Sequence, residues 1–219
     1  MKQIKAVIIA TTLFAVAFTL PASAQQCGPG CPACSGKTVG DLLPQKTLSG
    51  SLLYIPGSEE ETAVYSLRYG LFSWLDAGIG YAQDTEEVIW SIRTQPVEQD
   101  LVGWLPGVVI GTGSIQTGGS DQSVYLQLLK SWEVVEGKFS FSLTGGLATD
   151  LPGFAETWKL GTVSVSLFDR ISPFYTYDGL NPHAGVSIYV TEWLTMTGYA
   201  LEMEELAVMT GVQWAFGEK

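Results

Sequence analysis

Residues 206–216, LAVMTGVQWAF, alternate between two kinds of side chain along their whole length. Successive side chains of a β-strand point to opposite faces of the sheet, so the stretch predicts a strand with two different faces. Its bulky face would carry Leu206, Val208, Thr210, Val212, Trp214 and Phe216, and its small or polar face Ala207, Met209, Gly211, Gln213 and Ala215. In transmembrane β-barrels bulky residues face lipid and small or polar residues face the lumen. The stretch is therefore typical of a strand in such a barrel.

The same alternation recurs along the chain from Thr47 onward, with turn-forming residues between the repeats. We therefore predict an all-β fold, an antiparallel up-and-down transmembrane β-barrel of about 12 strands. The predicted strands are 47–55, 62–70, 75–83, 87–95, 105–114, 122–131, 138–148, 158–167, 172–178, 183–190, 194–202 and 206–216. Most have the length of about 9 to 11 residues that a tilted strand needs to cross a bilayer core.

The connections between these strands fall into two alternating sets that differ in charge. One set carries 13 acidic residues and no basic residue. It comprises Pro56–Glu61, Asp84–Glu87, Ile115–Asp121, Thr149–Thr157, Asp178–Asn181 and Glu202–Glu205. The other set and the strand halves beside it hold Arg68, Arg93, Lys130, Lys138 and Arg170. An even number of strands places the two sets at opposite ends of a barrel, so one rim would be acidic.

Tryptophan follows the same division. Five of the seven tryptophans belong to the second set and its neighbouring strand halves: Trp74, Trp104, Trp132, Trp193 and Trp214. Indole rings settle at the headgroup level of a membrane, so these five predict an aromatic girdle. A secreted β-sandwich or a small soluble barrel is the alternative, and it offers no reason for this segregation.

The amino terminus predicts export through the Sec pathway. Lys2 and Lys5 form a basic region, residues 6–20 an apolar stretch, and Ala22-Ser23-Ala24 a cleavage site, so we expect residues 1–24 to be removed. Elsewhere the chain has no apolar run of 18 residues, so it would enter a membrane only as a closed barrel. The predicted location is the outer membrane of a Gram-negative envelope.

Composition agrees with a membrane barrel and argues against nucleic acid as a partner. Charged residues make up 15% of the chain, against about a quarter in typical soluble domains. The net charge of −11 becomes −13 when Lys2 and Lys5 are removed with the signal. The expected partners are outer-membrane lipid and lipopolysaccharide. Phe216, followed by the tail 217–219, is either an aromatic signal to the barrel assembly machinery or an ordinary strand-end aromatic.

Several glycine-rich and aromatic phrases resemble those of the YjbH-type barrels. They are residues 68–71 with 75–81, residues 105–113, and residues 175–179 with Asn181 and 184–186. The resemblance covers most of residues 60–216 and implies an association with exopolysaccharide production and export. Members of that family are commonly longer and often have Glu at the position of Thr176, so this chain would be a minimal or divergent member.

The lumen holds the residues that would decide a pore's selectivity. By alternation Arg68 and Arg93 point inward, near the end that carries the termini. Two inward arginines would select anions or sugar carboxylates, or instead pair with lumen carboxylates and close the barrel floor. The acidic rim favours the opposite preference, through cation attraction or divalent bridging to lipopolysaccharide.

His183 is the only histidine, and it decides whether an enzyme is plausible. Outer-membrane lipid-modifying enzymes place a histidine within hydrogen-bond reach of a serine, asparagine or aspartate. Asp178 is close enough in sequence to approach His183, whereas Ser187 would lie more than about 10 Å along the same strand. We favour a lumen-facing histidine at the outer rim and no enzymatic activity.

Residues 25–46 form a predicted periplasmic lead that contains Cys27, Cys31 and Cys34. A c-type haem would need His where Ser35 stands, and structural zinc usually has four ligands, so we expect no cofactor and favour no metal. In an oxidising periplasm two thiols would pair and the third would join a partner or a second copy. Metal binding and a dispensable tail are the alternatives.

Two functions follow from these patterns. In the first, residues 47–216 form a narrow passive, porin-like pore with Arg68 and Arg93 in its lumen, and the family resemblance would associate it with exopolysaccharide. In the second, the barrel does not conduct and anchors a periplasmic or envelope partner through the cysteine-rich lead. The absence of long porin-style loops favours the second slightly.

Overall fold

The computed structural model describes residues 42–56, 62–100, 103–114, 122–136 and 138–216. The predicted signal sequence, the three cysteines and the tail 217–219 lie outside these residues, as do 57–61 and 115–121 of the acidic connections. Expectations about those segments stay predictions.

The described chain folds into a closed antiparallel barrel in which each strand pairs with its neighbours in sequence and the first pairs with the last. The predicted up-and-down barrel is confirmed. Its strands are β1 Thr47–Ile55, β2 Thr62–Phe72, β3 Leu75–Ala82, β4 Glu87–Val97, β5 Gly107–Gly113, β6 Ser123–Val135, β7 Phe139–Asp150, β8 Thr157–Leu167, β9 Ile171–Tyr177, β10 Pro182–Tyr189, β11 Leu194–Leu201 and β12 Glu205–Ala215.

Five strands differ by two residues or more from their predicted bounds. β2 and β4 continue to Phe72 and Val97, where we predicted ends at residues 70 and 95. β5 starts at Gly107 rather than at residue 105, because Pro106 has no N–H to give to a ladder. β6 is longer at its chain-end side, because it pairs with β7 as far as Val135, beyond Leu129, the partner of the first β5 residue. β7 is longer at the other side, because Thr149 and Asp150 pair with Val124 and Ser123.

The alternating strand directions place the two sets of connections at opposite ends of the barrel. We call the end where β1 begins and β12 ends the chain-end rim; its connections are 73–74, 98–106, 136–138, 168–170 and 190–193. The opposite end is the acidic rim, whose described connections are 83–86, 151–156, 178–181 and 202–204.

The outer surface of the barrel is an exposed apolar belt. In β12, Leu206 and Val208 are 72% and 47% exposed, whereas Ala207 between them is 1% exposed. Every strand contributes a large exposed apolar or aromatic residue: Tyr54, Leu67, Ile79, Ile92, Ile110, Leu128, Leu143, Val163, Tyr175, Val186, Met196 and Val208. Soluble monomers rarely expose a continuous apolar surface of this size.

The buried positions line the interior, and many of them are polar. Serine and threonine are frequent among them, with Asp76, Arg93, Asp178 and His183. Lys130 is also buried, but it lies on the outward face of β6, where its Nζ donates to the Asp100 carbonyl of a chain-end connection. Within the described residues, helices of a length and hydropathy suited to crossing a membrane are absent.

Candidate functional site: the barrel lumen

The most strongly charged part of the lumen is a cluster of two arginines and one aspartate. Asp76 on β3 is completely buried, and its direct cross-strand neighbour is Arg93 on β4. Arg93 donates from Nε to Asp76 Oδ1 at 3.0 Å and from Nη2 to Oδ2 at 2.6 Å. Arg68 on β2 approaches the same carboxylate more loosely, with Nε 3.7 Å from Oδ1. One carboxylate thus serves two guanidinium groups.

The two arginines differ in how completely they are paired. Arg93 is 7% exposed and makes a bidentate contact, which fixes its orientation. The Arg68 side chain is 35% exposed, and its buried Nε lacks a hydrogen-bond partner among the described residues. The cluster therefore has an excess of one formal positive charge, and Arg68 is the arginine that can offer it to a solute.

A cavity of about 190 Å³ adjoins Arg68 on the side of the acidic rim. Its lining includes the side chains of Ser66 on β2, Ser91 on β4 and Tyr125 on β6, together with Ser114 just after β5. Ser66 and Ser91 each lie two residues from an arginine, on the same face of their strands. The cavity thus combines one cation with several hydroxyl groups.

The wall on the other side of the lumen carries hydroxyl pairs. Ser142 and Ser164 are hydrogen-bonded at 2.6 Å, Thr162 and Thr176 at 2.7 Å, and Ser187 and Thr197 at 2.9 Å. These pairs join β7 to β8, β8 to β9 and β10 to β11, and most of their residues are buried. The lumen therefore carries its arginines along β2 to β4, whereas hydroxyl groups are the main polar groups of its wall along β7 to β11.

Residues 42–46 lie against the barrel rather than away from it. Leu42 and Leu43 are both 8% exposed, and Leu42 packs with Val109, Leu129 and the partly buried Tyr125. The Leu43 amide donates to Asp76 Oδ2 at 2.9 Å. The last five residues of the predicted lead therefore complete the shell around the charged cluster.

A second buried polar group lies at the acidic rim and connects two turns. His183 Nδ1 accepts a hydrogen bond from the Glu202 amide at 3.0 Å, so its Nε2 carries the proton that is donated to Asp178 Oδ2 at 2.8 Å. Asp178 Oδ1 in turn accepts from the Asn181 amide at 2.9 Å. His183 is thus hydrogen-bonded to the β11–β12 turn through Nδ1 and to Asp178 of the β9–β10 turn through Nε2. These two bonds connect the two turns at the acidic rim.

Glu202 is fastened to this group from both sides. Its backbone has a positive φ of 53°, which is strained for a residue with a side chain. The Asn181 side-chain amide donates to Glu202 Oε1 at 2.7 Å. His183 and Asp178 therefore have a clear structural role, and serine is not among the partners that the structure gives His183.

The five tryptophans of the predicted girdle all lie at the chain-end rim. Trp74, Trp104 and Trp193 belong to its connections, whereas Trp132 and Trp214 lie near the rim ends of β6 and β12. Trp74 is stacked on Phe72 at 5.3 Å. The other two tryptophans, Trp90 and Trp158, lie nearer the acidic rim, and Trp90 is exposed.

The sequence placed Arg68, Arg93 and His183 on the lumen face, and the structure has them there. It did not single out Asp76, Tyr125 or the segment before β1. Asp76 could have been found from alternation alone, because it lies on the same face of its strand as Gly78 and Gly80. Leu42 and Leu43 carry no comparable signal, since two leucines in a polar lead have many possible neighbours.

Comparison with known proteins supports the fold. Neither a family model nor a curated protein sequence matches this chain. A solved structure described as a KdgM porin aligns with 78% of this chain and 99% of its own, at a TM-score of 0.51 and 12% sequence identity. At that identity the likeness shows a common barrel fold. The resemblance to the YjbH-type barrels stays a prediction.

Proposed function

We propose that this protein is a narrow passive channel of the outer membrane that favours small anions. The exposed apolar belt supports the membrane location, because lipid would cover a surface that water solvates poorly. The KdgM porin, as its name says, is a porin, and its fold is similar to that of this chain. We place the chain-end rim in the periplasm, with its tryptophans at the headgroup level.

The observation that carries the proposal is the partly paired Arg68 beside a hydroxyl-lined cavity. A passive channel needs groups that attract a solute without holding it tightly. Arg68 supplies the attraction, since Arg93 already occupies both oxygens of Asp76. The hydroxyl groups of Ser66, Ser91 and Tyr125 offer exchangeable hydrogen bonds to the rest of the solute.

The acidic rim would favour cations, so the two charge distributions compete. Charges at an exposed rim are screened over about 8 to 10 Å at physiological salt. Arg68 lies inside the barrel, where screening is weaker and electrostatic interactions are stronger. We therefore expect the lumen arginine to determine the selectivity.

The test is single-channel conductance of the refolded mature protein in a planar bilayer under a salt gradient. We expect discrete steps and a reversal potential of the sign for anion preference. Arg68→Ala should reduce that preference, whereas Arg170→Ala, an exposed arginine in a chain-end turn, should not change it. A channel that prefers cations, or an Arg68→Ala channel identical to the wild type, would contradict the proposed role of Arg68.

The second candidate is a non-conducting barrel that anchors an envelope partner. It is favoured by the position of Leu42 and Leu43, which lie inside the chain-end mouth. The cysteine-rich lead would then hold a partner or a second copy through a disulfide. Complete absence of conductance from a protein that folds in detergent would favour this candidate. A connection with exopolysaccharide or lipopolysaccharide stays part of either proposal.

A further inference from the structure

We propose that residues Leu42–Pro44 are a displaceable plug that closes the chain-end mouth of the barrel. This inference rests on the proposed channel function and adds a mechanism by which the channel would open. The plug is defined by these three residues, and Lys46 is the point where it joins the barrel wall.

The contacts of the plug show that it lies inside the lumen, across one side of it. Lys46, at its carboxyl-terminal side, donates its amide to the Gly70 carbonyl on β2 at 2.8 Å. Leu42, four residues earlier, packs against Val109 on β5 and Leu129 on β6. β2 and β6 are four strands apart around a barrel of twelve. Its partners on the strands in between, Asp76 on β3 and Val109 on β5, are buried and face the lumen, so the segment runs along the inner side of the wall.

Gly70 is where the wall makes room for the plug. A Cβ atom at this position would overlap with the Pro44 carbonyl, and it would lie 2.9 Å from the Leu43 carbonyl oxygen. Only glycine allows the plug to approach β2 so closely. A single substitution at Gly70 would therefore displace the plug without changing any residue of the plug itself.

The plug is bound to the charged cluster that we assign to selectivity. Asp76 Oδ2 accepts hydrogen bonds from both the Leu43 amide and Arg93 Nη2. When the plug leaves, Asp76 keeps both contacts with Arg93, and the side of the cluster that the plug covered becomes open to the chain-end mouth. The cavity beside Arg68 would then have access from both ends of the barrel.

The attachment of the plug is suited to release. The buried side chains of Leu42 and Leu43 hold it, with two hydrogen bonds: from the Leu43 amide to Asp76, and from the Thr47 amide to the Pro44 carbonyl at 3.2 Å. Each barrel strand, in contrast, is held by ladders on both sides. Lys46, where it joins the wall, is exposed and has a positive φ of 59°. The Phe216 amide donates to the Lys46 carbonyl at 2.7 Å, which anchors that residue to the last strand. The plug can therefore move about Lys46 without unpairing any strand.

The experiment compares Gly70→Ala with Gly198→Ala in the full mature chain. A Cβ at Gly198, on β11, would meet nothing within 4 Å, so this variant controls for a strand alanine. Two measurements are made on each: hydrogen–deuterium exchange of the peptide containing residues 42–46, and single-channel conductance. We expect Gly70→Ala to lose protection in that peptide and to raise open-channel occupancy, and Gly198→Ala to match the wild type.

A second variant tests the same prediction in case Gly70→Ala fails to fold. Leu43→Pro removes the amide that Asp76 accepts and leaves the barrel wall unchanged. It should give the same loss of protection and the same rise in open-channel occupancy. Barrel formation is checked by resistance to unfolding in detergent.

The outcomes separate the plug from the channel. If the wild type conducts and the variants lose protection at residues 42–46 without a change in conductance, the plug proposal is wrong, because release of the segment opens nothing. Unchanged exchange in both variants would also overturn it. If the variants release the plug and neither they nor the wild type ever conducts, the channel function fails, and a mobile segment of a non-conducting barrel remains.

Discussion

Asp76 is the residue that links the two lumen arginines and the segment before β1. It is fully buried, it neutralises Arg93 through two hydrogen bonds, and it accepts the Leu43 amide. A buried ion pair is costly to desolvate, but removing one partner is costlier still because it leaves an uncompensated charge. Asp76 therefore both stabilises the barrel and limits how much positive charge the lumen presents.

Replacing Asp76 tests this role. We expect Asp76→Asn to destabilise the barrel by about 3 kcal/mol or more, because Arg93 remains buried without its counter-ion. The measurement is the free energy of unfolding in urea, in detergent micelles. Asp84→Asn, at an exposed position in an acidic-rim turn, should change it by about 0.5 kcal/mol or less. Equal effects of the two substitutions would contradict the assignment.

At the scale of elements, hydrogen bonds between neighbouring turns order the acidic rim of the barrel. The β9–β10 and β11–β12 turns are joined by His183, Asp178, Asn181 and Glu202. This group fixes the acidic rim on one side of the barrel. It also explains why the only histidine is buried in a strand that otherwise alternates between apolar and small residues.

Substitution of His183 should loosen this rim without affecting conduction through the proposed channel. His183→Ala removes the acceptor of the Glu202 amide and the donor to Asp178 Oδ2, while Asp178 Oδ1 keeps its bonds to the Leu180 and Asn181 amides. We therefore expect a loss of about 1 to 3 kcal/mol in the free energy of unfolding. Exchange of the turn 202–204 should accelerate, while the reversal potential stays unchanged. Ser187→Ala, on the same face of β10, serves as control and should leave that turn protected. A changed ion preference in His183→Ala would show that the histidine also acts in conduction.

At the scale of the whole molecule, the distribution of polarity in the barrel is the reverse of that in a soluble protein. Each strand exposes a large apolar side chain, and the interior holds hydroxyl groups and charges. Such a molecule is stable where lipid surrounds it, because the bilayer covers the belt and the closed ladder leaves no backbone group unpaired at an edge. The belt and the polar lumen are thus two consequences of one alternation.

A charge placed on the belt tests the membrane orientation. Ile79, in the middle of β3, is 54% exposed, and Ile79→Lys should cost about 2 to 4 kcal/mol in a lipid bilayer. Leu206→Lys, near the acidic-rim end of β12, should cost about 1 kcal/mol or less because the ammonium reaches the interface. The measurement is unfolding by denaturant from lipid vesicles. If both substitutions were neutral, the belt would not lie in lipid.

The sequence alone determined the strand pattern, the number of strands and the division of the connections by charge. These follow from local alternation: in 206–216 each side chain's face depends only on its position in the strand. The inward orientation of Arg68 and Arg93 has the same origin. His183 and Asp178 could be proposed as neighbours because only a short turn separates them.

Only the tertiary structure decided which of these residues meet. Asp76 and Arg93 are neighbours because the register between β3 and β4 pairs them directly. Arg68 joins them because the register between β2 and β3 pairs it with Gly78, two residues from Asp76 on the same face of β3. Leu42 meets Val109 and Leu129 only because the barrel closes around it. Such contacts depend on the relative positions of segments far apart in the chain, which alternation does not encode. The faces of the strands are therefore local properties, whereas the charged cluster and its plug are products of barrel closure.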